Sequence, residues 1–331
     1  MTKLLITGAA GFIGTNCAIG LKDQFDLTLL DNFSRSGSTN NASFLESHGL
    51  TVNNVDISDS EALEEFLDLV GKIDAVLHLA AQTSLLESLK YPKLDFNSNA
   101  IGTLNILEYL RTHNLDCIGI FLASNKVYGN LAQFDFNNHH MRFSPKGTHK
   151  SFSEELPLMP VGGYSISKYV SDAYVREYGT RYSMPIYSLR QSAVYGQYQN
   201  PRSDQGWVVH FLRELSVNHL VHLRGAGLQV RDILYVDDFV ELVKKMLVSD
   251  LNHGDYFNVG GGISNSLSIL ELFELFTEIT GKKVNYETGN MDSEDQKYFV
   301  SNNSKIAKFT GWAPTTSPQD GISKILNSLK L

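Results

Sequence analysis

The sequence predicts an α/β chain: a doubly wound parallel sheet followed by a smaller C-terminal α/β unit. Three observations predict it. Short apolar runs alternate with longer helical patterns through the first two thirds, a glycine-rich turn joins the first run to the first helical pattern, and the alternation breaks down after Arg190. Strand–helix alternation of this kind marks parallel βαβ units.

In chain order, Lys3–Thr7, Leu27–Asp31, Ala75–Leu79, Ile118–Ala123 and Ile186–Leu189 read as strands. Between them, 12–21, 60–70 and 99–112 carry apolar residues three and four apart, as crossover helices do. Ser60, with Leu63 and Glu64 behind it, reads as a helix start. The stretch from Tyr128 to Tyr164 is rich in Asn, His, Pro, Gly and Ser and has no clear period. A segment of that length is either a functional loop over the active site or a surface insertion. Beyond Arg190, residues 267–280 form a separate amphipathic helix, with Leu270, Phe273, Leu275, Phe276 and Ile279 on its apolar side.

The 331 residues are 42% apolar and 19% charged, as in an ordinary soluble globular protein. A net charge of −8 offers no general attraction to nucleic acid or to an anionic membrane, so neither is an expected partner. Any phosphate-bearing ligand must therefore be held by local groups. Cys17 and Cys117 stand apart from any CxxC or Cys/His cluster, which disfavours a disulfide framework and a metal site. His139 and His140 have no metal-like spacing to carboxylates and read as solvated. Neither a signal-peptide pattern nor a membrane-length apolar run is evident, and a soluble cytoplasmic protein is expected.

Leu4-Leu5-Ile6-Thr7-Gly8-Ala9-Ala10-Gly11-Phe12-Ile13-Gly14 is a strand, a glycine turn and a helix start. Backbone amides at such a helix start can hold a pyrophosphate. Gly8 permits the tight turn, Gly11 lets a phosphate approach, and Gly14 allows close helix packing. The second strand ends at Asp31, where a carboxylate would accept hydrogen bonds from an adenosine ribose and repel a 2′-phosphate, so NAD is expected over NADP. Arg35 is near enough to serve that phosphate instead. Asp56 suits an adenine amino group, or else caps the helix that follows. The expected division is a Rossmann-type NAD-binding domain at 1–190 and 228–258, and a substrate-binding domain at 191–227 and 259–331.

Tyr164 and Lys168 form a YxxxK pair, which on a helix shares one face. With 15 tyrosines in the chain such a pair is weak evidence alone. Its weight comes from Ser124 before Val127-Tyr128-Gly129, from Leu79-Ala80-Ala81 at a strand end, and from the glycine turn upstream.

Together these four motifs resemble the extended short-chain dehydrogenase/reductases, the NAD-dependent epimerases and dehydratases of nucleotide sugars. The resemblance implies catalytic residues Ser124, Tyr164 and Lys168. It implies NAD contacts at Gly8, Gly11, Phe12, Ile13, Gly14, Asp31, Asn32, Arg35, Asp56, Ile57, Leu79, Ala80, Ala81, Asn99, Tyr164, Lys168 and Val194. In such an enzyme Tyr164 takes the proton of a sugar carbinol if its pKa of about 10 falls toward 7. That fall is about 4 kcal/mol, for which a Lys168 ammonium and a positive nicotinamide are the candidate sources.

Within this family the resemblance sharpens to the CDP-paratose 2-epimerases. The matching segments are 125–129, 203–208, 227–232, 265–268 and 295–300. That resemblance implies substrate contacts at Asn125, Lys126, Gln205, Arg231 and Gln296, a nucleotide-linked sugar as substrate, and a homo-oligomer, dimer or tetramer. Arg231 is expected on the substrate diphosphate, or else in an ion pair with Asp232. Asp292 and Lys297 stand where the subgroup is expected to carry arginines, with Arg202 or Lys297 as candidate replacements. A 4,6-dehydratase would carry an Asp-Glu pair after the catalytic hydroxyl; this chain has Asn125-Lys126. Epimerisation at the sugar C2 is the expected reaction, with 4-epimerisation, net oxidoreduction and a non-catalytic NAD-binding protein as alternatives.

Overall fold

The computed structural model describes residues 1–148, 150–202, 204–217, 220–290 and 295–329. Its main sheet has seven parallel strands: β1 (Lys3–Thr7), β2 (Asp26–Asp31), β3 (Val52–Asn54), β4 (Ala75–His78), β5 (Ile118–Leu122), β6 (Ile186–Gln191) and β7 (Tyr256–Val259). They lie in the order β7-β6-β5-β4-β1-β2-β3. The chain reverses its direction of travel between β1 and β4, and a ligand crevice opens at the carboxyl ends of strands at such a point.

Burial on both faces explains the apolar strand runs. Leu4 and Ile6 of β1 pack into one core with Ala18, Leu29, Leu77, Phe239 and Leu242. Leu5, between them, points into the opposite core with Leu30, Leu67, Val76, Leu107 and Ile186. Alternate residues of one strand thus feed two layers of helices. The first layer holds α1 (Phe12–Leu21) and the helix Val236–Met246; the second holds Ser60–Val70, Gly102–His113 and α2 (Gly163–Tyr182).

Two strands escape the sequence pattern. β3 is a three-residue edge strand with two asparagines, and β7 carries Asn258 in its centre. Asn258 is fully buried and bonded to the Tyr128 hydroxyl at 2.7 Å and the Phe152 carbonyl at 3.0 Å, so a polar residue sits where a strand pattern would show an apolar one. Ser60 does begin its helix, but the capping side chain is Asp59, which accepts from the Ala62 amide at 3.1 Å. Residues 97–101 form a wide π turn before the α-helix begins at Gly102. The later helix starts at Ile269, because Ser268 and Glu271 form a reciprocal capping box and Leu267 pairs in a strand.

A second sheet joins Ala193–Tyr195, Val230–Tyr235, Ser266–Ser268 and Tyr298–Phe299. Its core holds Phe211, Leu212, Leu272, Phe276, Ile322 and Ile325. The stretch 228–258 is divided: Val230–Tyr235 belongs to this second sheet, while Tyr256–Val259 closes the main one. The long segment after Tyr128 contains a hairpin, Phe136–His139 with Arg142–Pro145. It docks on the second sheet through the Phe143 amide to the Leu228 carbonyl at 2.9 Å and through an Arg142–Glu271 ion pair at 2.7 Å. Of the two readings of this stretch the surface insertion is favoured, because none of the described residues between 129 and 163 lines the cleft described next.

Candidate active site

A cleft of about 550 Å³ opens over the carboxyl ends of β1, β4 and β5, a volume suited to a dinucleotide portion plus substrate. Its floor is the glycine turn. Gly8 has φ +68°, and a Cβ there would lie 2.7 Å from the Ala80 amide nitrogen. A Cβ on Gly14 would lie 2.2 Å from the Gly8 carbonyl oxygen, so α1 can sit this close to the turn only with glycine. Gly11 is the N-cap of α1 and provides no side chain to cap it. The first-turn amides of Phe12 and Ile13 therefore stay available at the cleft wall. This uncapped, side-chain-free helix start fits a dinucleotide pyrophosphate.

Asp31 stands beside the turn with one carboxylate oxygen on the Ala10 amide at 3.1 Å and the other on the Phe33 amide at 2.8 Å. Burial pushes its carboxyl up from the usual range, against the pull of those backbone amides. Asn32, Ile57, Leu79, Ala80, Ala81 and Val194 line the same half of the cleft. Asp56 also lines it, bonded to Asn32 at 2.9 Å and to the Ser58 hydroxyl at 2.7 Å. The helix it was an alternative cap for is capped by Asp59 instead.

Three residues far apart in sequence meet at the other end. Ser124 follows β5 with extended backbone and caps the short turn Asn125–Tyr128. Tyr164 and Lys168 lie in the first turns of α2, and both line the cleft together with Ser124. Lys168 is buried, its ammonium donating to the Leu122 carbonyl, and burial pushes it down to about 8. Burial also pushes the Tyr164 hydroxyl up, with Ser124 and the Arg35 charge pulling it down and Asp95 adding to the rise. The protein's own surroundings thus oppose the fall expected of Tyr164.

The substrate-facing wall departs from expectation in its pairings. Arg231 lines the cleft, but its partner is Asp295 at 2.7 Å rather than Asp232. Asp295 also holds Lys126 at 2.9 Å, and the two cations help keep its carboxyl ionised, down at about 2. Asp232 is fully buried under backbone amides of Gly262 and Ser301. Gln296 is not on the wall: fully buried, it accepts from Asn125 at 3.2 Å and donates to the Gly129 carbonyl at 2.7 Å, so it holds Asn125 from behind. Asn99, expected on NAD, is likewise beneath the site, donating to Ser167 at 3.0 Å and to Asp95 at 3.2 Å.

Arg35 lines the cleft and donates to Thr83 and Gln205, not to Asp31. Arg202 is paired with Glu87, and Lys297 lies over the Phe143 ring away from the cleft. Asp292 and Ser203 lie outside the described residues. Thr83 and Glu87 also line the cleft and were missed by sequence reasoning, since no motif includes them; Asp204 lines it too, inside the 203–208 segment but not singled out there.

A family model for the NAD dependent epimerase/dehydratase family matches residues 4–260. The chain belongs to that family. NAD is its cofactor, in keeping with the glycine cradle and Asp31. Across 98% of both chains it is 35% identical to the CDP-paratose 2-epimerase of Salmonella typhi. It is 28% identical to the dTDP-glucose 4,6-dehydratase of Salmonella typhimurium, over 97% of this chain and 91% of that one. The crystal structure of Thermotoga maritima UDP-glucose 4-epimerase with UDP-glucose superimposes with a TM-score of 0.84 at 28% identity, covering 99% of each chain.

Proposed function

We propose that this chain is a nucleotide-sugar epimerase that inverts a ring carbon by transient oxidation, and that its substrate is a CDP-linked deoxyhexose inverted at C2. The observation that carries the reaction class is the meeting of Ser124, Tyr164 and Lys168 beside the glycine cradle in one cleft. When bound, NAD supplies the acceptor and donor of the carbinol hydrogen. Tyr164 takes the hydroxyl proton, Ser124 holds the same oxygen by a hydrogen bond, and Lys168 holds the nicotinamide ribose and contributes positive charge.

Elimination of water needs a protonated acid near the leaving hydroxyl. The two residues after Ser124 are Asn125 and Lys126, and Asp295, the acid paired with Lys126, is held ionised by two cations. This favours epimerisation over dehydration. The choice of CDP and of C2 rests on the 35% relative over the whole chain. Inversion at C4 is the second reading, favoured by the whole-chain superposition on a UDP-glucose 4-epimerase.

The test is a panel of CDP-, UDP-, GDP- and dTDP-hexoses incubated with purified protein, with products identified by NMR. A CDP-deoxyhexose inverted at C2 is expected. Tyr164→Phe is expected to lower turnover by roughly a hundredfold or more with NAD still bound; unchanged turnover removes Tyr164 from the reaction. Self-association belongs to the same proposal, since Leu89, Tyr91, Leu94 and Tyr174 are exposed apolar residues on neighbouring helices. Light scattering of the purified chain measures it, and a monomer contradicts it.

A further inference from the structure

Beneath the catalytic pair lies an acid that the reaction above does not use. Asp95, on the short helix Pro92–Phe96, is 1% exposed. Three donors from three different elements converge on its carboxylate. Gln82, from the segment after β4, donates at 2.9 Å; Asn99, from the π turn, at 3.2 Å; and Ser167, from α2, at 2.6 Å. Burial pushes this carboxyl up from the usual range, while the short Ser167 bond, of the charge-assisted kind, and the Lys168 charge pull it back toward the anion.

Ser167 stands between Tyr164 and Lys168 on the first turns of α2. It also accepts from Asn99 at 3.0 Å, so its hydroxyl is held from both sides. The Asp95 charge acts on both catalytic residues: it favours the ammonium of Lys168 and disfavours the anion of Tyr164. The other charges facing this pair are few. Asp172 acts on Lys168 from the next turns of α2 but is itself paired with Arg190 at 2.7 Å and with Arg176 at 3.6 Å. Arg35 acts on Tyr164 across the cleft. His78 of β4 is held neutral by burial and hydrogen bonds to Thr7 and Thr103. Lys93 on the short helix is exposed.

We propose that Asp95 is a positioning residue of this centre: it pins Ser167 and supplies the buried counter-charge that keeps Lys168 an ammonium. Asp172, the other acid acting on Lys168, is committed to Arg190 and Arg176, and the Lys168 ammonium itself sits on the Leu122 carbonyl. The proposal rests on the assignment of Tyr164 and Lys168 as the reacting pair.

The test uses the full chain with NAD bound and the variants Asp95→Asn, which removes the charge at nearly constant shape, and Asp95→Glu, which restores it. Turnover of whichever nucleotide sugar the panel identifies is measured against pH. Loss of a nearby negative charge makes Tyr164 easier to ionise and Lys168 easier to deprotonate, so both limbs of the profile move to lower pH. A displacement of about half a pH unit or more is expected in Asp95→Asn. In Asp95→Glu both limbs stay where they are in the parent.

A second readout needs no substrate. Tyrosinate absorbance near 295 nm is titrated in protein and in its Tyr164→Phe counterpart, and the difference isolates Tyr164. Its midpoint is expected to fall in the Asp95→Asn background by a similar amount. Should Asp95→Asn not fold, Asp95→Ser removes the same charge and is expected to give the same displacement. Uniformly reduced turnover with unmoved limbs and an unmoved Tyr164 titration would make Asp95 a structural tie only and overturn the proposal. A chain that turns over no nucleotide sugar yet shows the shifted titration keeps Asp95 and fails the functional reading instead.

Discussion

The Asp31 carboxylate serves two purposes at once, because it fastens the glycine turn through the Ala10 amide and faces the cleft where an adenosine ribose would lie. Asp31→Ala is expected to weaken NAD by at least about tenfold, the loss of one or two charge-assisted hydrogen bonds, and to relax discrimination against NADP. Binding of both cofactors measured by calorimetry checks this; a parent protein that prefers NADP would make the assignment wrong. The residues legible in the sequence were those whose type is dictated by chemistry at a fixed local spacing: Gly8, Gly11, Gly14, Ser124, Tyr164 and Lys168. What stayed illegible was pairing at long range. Nothing near Arg231 announces Asp295, and Gln296 looked like a substrate ligand because its burial behind Asn125 depends on a contact 171 residues away.

The element that decides cofactor binding is α1, whose start must press against the turn that precedes it. Gly14→Ala places a methyl group 2.2 Å from the Gly8 carbonyl oxygen and 2.7 Å from the Ala9 Cα, both backbone atoms that cannot swing aside. Overpacking of this kind costs roughly 1–3 kcal/mol, and here it also lifts the uncapped amides of Phe12 and Ile13 off their positions. A lower melting temperature and a loss of NAD affinity of at least tenfold are expected together; thermal scans with and without NAD that leave the cofactor-induced rise unchanged would contradict it. Strands were legible where burial on both faces leaves a continuous apolar run, as in Ala75–His78. They were not where a short edge strand carries Asn53 and Asn54, or where a buried polar network replaces side-chain packing at Asn258. The hairpin after Tyr128 was invisible because its partners are distant in sequence: Leu228, just before a strand of the second sheet, and Glu271, in the helix beside it.

At the scale of the molecule, the main sheet brings the glycine turn, Asp31, Ser124 and α2 to one crevice, and the second sheet closes it with Arg231 and the residues around Gln205. A chain of net charge −8 thereby presents Lys126, Arg231, Arg35 and Arg202 around a single cleft, each fastened by an acid or an amide of the protein. In the proposed reaction a diphosphate entering there would compete with Asp295 for its cations, which would give the substrate's charged end a place distinct from the reacting carbon beside Tyr164. The central claim is that inversion passes through oxidation of that carbon and not through a carbanion. In the first route the hydrogen that leaves the carbon returns to it without meeting solvent; in the second an acid in exchange with water delivers it. Epimerisation of the CDP-deoxyhexose in deuterated water, read by NMR, separates the two. The account predicts product without deuterium at the inverted carbon, with that carbon C2; stoichiometric deuterium there would contradict it.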